Sequence, residues 1–79
     1  MTFQEFKYQW DKELLPIKDN ELRDGQWLMI CLANVWPKEY HRIIHSIGCL
    51  QNEIDCFYTD ERMQNTWEHL KKVWHNYPN

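Results

Sequence analysis

Glycine and proline are scarce in this 79-residue chain, at two and three residues, and valine occurs only at positions 35 and 73. The turn chemistry and β-branched runs of a sheet protein are therefore mostly missing, and helices are the expected elements. No block of like charge exceeds two residues, and nine Lys and Arg stand against twelve Asp and Glu, for a net charge of −3. General attraction to nucleic acid phosphates needs a clustered basic stripe, so none is expected, and a polybasic membrane anchor is absent on the same ground. The longest apolar stretch, Trp27 to Ala33, is seven residues, far short of the ~20 of a membrane span. The first residues also lack the basic and apolar regions of a secretory leader. Three cysteines, an odd number, speak against a closed disulfide framework and suit a reducing cytosol.

What the chain does have is aromatic mass: five Trp, four Tyr and three Phe within a composition 43% hydrophobic. That is enough apolar surface for folding, and the length allows one core only. We expect one all-α domain over 1–79, a compact bundle of about four short helices. Thr2 and Glu5 have capping-box spacing, and Phe3, Phe6, Trp10 and Leu14 then form one stripe that Pro16 should end. Asp24 is a good N-cap for a second element through Val35, apolar on nearly every side and hence central. A short buried strand over Trp27 to Leu32 is the alternative, disfavoured because Leu, Met and Ala form helices and a lone strand would have no partner. Pro37 suits the first position of a third helix with Tyr40, Ile43, Ile44 and Ile47 inward, and Gly48 as its stop. Thr59 or Asp60 should cap a fourth, with Met63, Trp67, Leu70, Trp74 and Tyr77 on one face before Pro78.

Leu22-Arg23-Asp24-Gly25-Gln26 and, thirty residues on, Asp55-Cys56-Phe57-Tyr58-Thr59-Asp60-Glu61-Arg62 resemble a pattern in small phage and prophage proteins. Those carry Leu-Arg-x-Gly-Gln before one helix and Asp-Pro-Phe-Tyr-x-Asp-x-Arg before the last; here Cys56 replaces the Pro. The resemblance implies a phage accessory protein in the host cytosol that interferes with a host enzyme or defence complex, and it supplies no catalytic residues. Independently, the residues admit a structural reading. Gly25 would permit close packing, Arg23 would pair with Asp55 or Asp60, and Phe57 and Tyr58 would pin the segment to the core.

Several constellations compete as sites. His41, His45, Cys49 and Cys56 are zinc-ligand types, and the first two share a helical face, but two solvated histidines on a polar flank are the plainer reading. No metal or cofactor is therefore expected. Cys49 or Cys56 with a histidine, or Glu53 with Asp55, can be drawn as catalytic pairs, yet no signature surrounds them and an enzyme is not expected. A helix-turn-helix reading of the second and third helices would present Lys38, Arg42, His45 and Ser46, but also Glu39, to DNA. The acidic group Glu53, Asp55, Asp60 and Glu61 lies beside Phe57 and Tyr58. Aromatic surplus at Tyr8, Trp27, Trp36, Phe57 and Tyr58 need not all fit inside so small a domain. The expected function is thus binding of a host or phage protein through Asp55, Phe57, Tyr58, Asp60 and Glu61 with Trp36 as a further anchor; a second copy of the chain is another candidate partner. A small DNA-binding regulator and a zinc-stabilised module are the alternatives.

Overall fold

A computed structural model describes residues 1–45 and 53–78. Every regular element among them is helical, and together they form a small all-α bundle. The Cα radius of gyration is 11.8 Å, close to the ~12 Å of a compact chain of this length.

The first helix, α1 (Phe3–Gln9), starts on a complete capping box. The Glu5 N–H donates to Thr2 Oγ1 at 3.1 Å, and the Thr2 N–H donates back to Glu5 Oε1 at 2.9 Å. That second bond, with the Thr2 hydroxyl, holds the Glu5 carboxyl below its ordinary value. Beyond Gln9 the winding loosens to a π turn (Trp10–Leu14) and then tightens to a 3₁₀ turn (Leu15–Ile17). Pro16 therefore sits inside the last turn, where its missing N–H removes no needed bond.

The second helix, α2 (Asp24–Val35), resolves the choice between helix and strand. It contributes Leu28, Met29, Cys31 and Leu32 to the eleven buried apolar residues of the core among those described, which makes it the central element. Trp27, half-buried, ties it to the first segment by donating its indole N–H to Leu14 O at 2.7 Å.

Trp36 was expected at the surface, and the structure corrects this: it is 4% exposed. Pro37 restricts the residue before it to extended backbone, and Trp36 has φ −142° and ψ 75°. Its ring meets Trp74 edge-on at 5.1 Å and Tyr77 at 5.4 Å.

Pro37 opens α3 (Pro37–His45), whose Ile43 is fully buried. Glu39 is buried on the same helix, and its charge is met from two sides. Arg42 Nε lies 3.1 Å from Oε1, and His69 Nε2 lies 2.7 Å from Oε2. His69 belongs to α4 (Met63–Val73), so this polar contact links α3 to α4. The final helix is entered through a 3₁₀ turn (Asp60–Arg62) and left through another (Trp74–Asn76).

Aromatic packing joins the two ends of the chain. Phe6 stacks on Trp74 at 5.3 Å, Trp10 meets Trp67 at 6.0 Å, and Trp74 donates its indole N–H to Met1 O at 2.9 Å. Ile47, expected on the inner face of α3, and Gly48, expected as its stop, lie outside the described residues. No helix among the described residues is long and apolar enough to cross a membrane.

Phe6 is completely buried beneath these rings, so Phe6→Ala should leave a cavity that collapses poorly. Urea denaturation followed by tryptophan fluorescence is expected to show a loss of about 3–5 kcal/mol.

Candidate interaction site

Residues 22–26 and 55–62 meet in space, and their junction builds the site. Arg23 is the N-cap of α2, and Asp24, expected there, is instead the first helical residue. The capping carboxylate comes from far along the chain: the Gly25 N–H donates to Asp60 Oδ1 at 2.9 Å. Arg23 Nη1 reaches the same oxygen at 3.2 Å, and Nη2 donates to Phe57 O at 2.6 Å. A negative charge here also complements the helix dipole.

Gly25 is required by proximity. A Cβ at this position would overlap the carbonyl oxygen of Cys56 and stand 2.7 Å from Asp60 Oδ1. Cys56 closes the contact by donating its thiol to Gly25 O at 3.3 Å.

Behind this junction, the chain is anchored to α4. Thr66 Oγ1 is in hydrogen-bond contact with Ile54 O, Asn65 Nδ2 donates to Glu53 O at 3.1 Å, and Arg62 Nη1 donates to Asp55 O at 3.2 Å. Asp55 makes a tight turn, its Oδ1 accepting the Phe57 N–H at 2.9 Å. That turn sends the backbone outward at Phe57 and Tyr58, whose rings meet edge-on at 5.1 Å. Tyr58 is 73% exposed.

Tyr40 and Ile44 of α3 face this turn and, with Asp55, Phe57 and Tyr58, line a pocket of about 210 Å³. Of the six expected contact residues, then, three border one cavity. Asp55 does so from a buried position, 2% exposed, which corrects the expectation of a solvated carboxylate; its turn hydrogen bond and the ties of residues 53–55 to α4 draw it inward. Asp60 lies beside the pocket segment but is committed to α2. Glu61 is exposed on the first turn before α4. Trp36 belongs to the core cluster with Trp74 and Tyr77 and is no part of the cavity.

Tyr40 and Ile44 were legible only as inner-face positions. Their i, i+4 spacing placed them on one side of α3, yet nothing local showed that the later turn at Asp55 would leave a gap over them.

The rival constellations look different once folded. His41 and His45 stack on the exposed side of α3 with ring centroids 5.5 Å apart. Cys49 lies outside the described residues, and among those described no group of three or more His, Cys, Asp or Glu is arranged to hold a metal. Burial pushes the Cys31 and Cys56 thiols up to about 11, with Asp55 and Asp60 adding to the effect at Cys56. Both thiols therefore stay protonated at neutral pH, opposite to what a nucleophile needs. On the outward side of α3, Arg42 commits its Nε to Glu39. No family model matches the chain, and no curated protein or solved structure does either.

Replacing Asp60 should test the distant cap. Asp60→Ala is expected to cost about 1–2 kcal/mol in chemical denaturation, with Asp60→Asn milder because an amide oxygen can still accept from Gly25. Gly25→Ala should cost more than either, since backbone must move.

In the native protein, Cys31 and Cys56 should resist iodoacetamide at neutral pH and react once unfolded in urea, as read by peptide mapping. Their raised values also set a sign: between pH 9 and about 11 the unfolded chain loses thiol protons that the folded chain keeps. Stability should therefore fall as pH rises through that window.

Proposed function

We propose that this chain is an accessory protein that works by binding another protein, and that Phe57, Tyr58 and Glu61 form its contact face with Tyr40, Ile44 and Asp55 beside them. The observation that carries this reading is the exposure of Tyr58 on a segment otherwise tightly held. Tyr8 is similarly exposed, at 64%, and borders a wider, more open hollow along α1 with Gln4, Glu5 and Glu13, without the neighbouring ring that Phe57 gives Tyr58. Tyr58 has a ring neighbour, a pocket next to it, and a backbone fixed through Phe57 O by Arg23.

A rigid aromatic side chain loses little conformational freedom on binding and brings a large apolar face with a polar tip. Interfaces concentrate their energy in such anchors. The exposed Glu61 adds charge at the edge, which favours selection and approach more than raw affinity. Together with the likeness of both motifs to phage proteins, this supports a host enzyme or defence complex, met in the host cytosol, as the class of partner.

The test is capture of interacting proteins by the tagged chain, quantified for Tyr58→Ala, Glu61→Ala and the control Tyr8→Ala. Tyr58→Ala should leave the circular dichroism unchanged and weaken the principal captured partner tenfold or more, the size of a hot-spot loss. Undiminished capture by a folded Tyr58→Ala protein would refute the assignment.

A further inference from the structure

We propose that the pocket between α3 and the Asp55 turn receives a cationic side chain, a lysine or arginine presented by the partner protein. This rests on the docking face above and names the chemistry it selects. The volume, about 210 Å³, lies below the roughly 300–1,000 Å³ of small-molecule sites and suits one side chain entering from a neighbouring surface.

Its walls are of two kinds. Three are aromatic rings, Tyr40, Phe57 and Tyr58, and one is the aliphatic Ile44. The fifth is Asp55, itself 2% exposed. Its Oδ1 accepts the Phe57 N–H. Arg62 is the nearby guanidinium, but its Nη1 bonds the Asp55 backbone carbonyl, not the carboxylate. His41 meets the Tyr40 ring edge-on, centroid to centroid 5.5 Å, and is solvent-exposed.

A carboxylate bordering a ring-lined pocket is stabilised by a cation placed there. Aromatic faces around it reward the same charge through their quadrupoles. An anionic side chain would be repelled by Asp55, and a purely apolar one would gain nothing from its charge. Size, charge and ring chemistry thus select a cation, and the net charge of −3 favours its approach.

The probe is a blocked pentapeptide, Gly-Ala-Lys-Ala-Gly, with arginine, norleucine and glutamate versions, titrated into the full chain and followed by NMR of Tyr40, Phe57 and Tyr58. The lysine and arginine peptides should give saturable shifts at these residues with Kd on the order of millimolar. Norleucine and glutamate should bind at least about tenfold more weakly. Asp55→Asn retains an oxygen to accept the Phe57 N–H, so the turn survives, and lysine-peptide affinity should fall about tenfold or more. Norleucine binding as well as lysine, an unchanged affinity in Asp55→Asn, or no saturable shift with either cationic peptide would each overturn the proposal. If the cationic peptides fail while Tyr58→Ala still abolishes partner capture, the docking face stands and the cation preference falls. If an Asp55-dependent lysine response appears while Tyr58→Ala leaves capture intact, the pocket chemistry stands and the docking face falls.

Discussion

A single carboxylate oxygen, Asp60 Oδ1, accepts both the Gly25 N–H at the start of α2 and the Arg23 guanidinium beside it. The first turn of any helix leaves backbone donors without partners, and α2 is the helix on which the core is built. Supplying its cap from a residue thirty-five positions away means that the end of the central helix and the segment before α4 are fixed by the same bonds. Gly25 and Cys56 complete that junction by an approach too close for any side chain at position 25. From there the other contacts follow: Arg23 holds Phe57 O, the Asp55 turn is set against α4, and Tyr58 is carried to the surface on a constrained backbone.

The second organising feature is the division of labour among the aromatics. Phe6, Trp10, Trp36 and Trp74 seal the core, and the half-buried Phe3 and Trp67 pack against them. In a chain this short, large rings gain burial that smaller apolar side chains cannot supply in the same number of residues. Their polar atoms are used as well: the Trp27 and Trp74 indoles and the Tyr77 hydroxyl all bond main-chain carbonyls. Tyr58 stands apart because its segment is held by polar bonds around it, leaving its own ring free of packing duties. Glu39 is the converse case, a charged side chain inside the structure, retained with Arg42 and His69 as partners. Removing one member of such a group is costly even where the whole group contributes little net stability.

Much of the architecture was legible locally because helix physics acts over three or four residues. Thr2 with Glu5, the Phe3-Phe6-Trp10 stripe, Pro37 at the head of α3 and the period from Met63 through Trp74 each announced an element. The choice of helix over strand for Trp27 to Leu32 followed from residue preference and the absence of a pairing strand. Of the site, the segment 55–61 stood out by its mixture of acids and aromatics. What escaped was burial: Asp55 and Trp36 read as surface residues, since composition records what a side chain is and not which way a turn points it.

The amino-acid order by itself thus determined an all-helical chain with an apolar central helix, a conspicuous acidic-aromatic stretch, and two short motifs suited to each other. Only the tertiary structure decided that Asp60 would cap α2, that Trp36 would close the core, and that Tyr40 and Ile44 would face Asp55 across a cavity. The reason is range. Capping spacing and hydrophobic period are written within one turn of helix, whereas a cavity exists only between surfaces brought together from distant parts of the chain, and its shape depends on every contact that sets their separation.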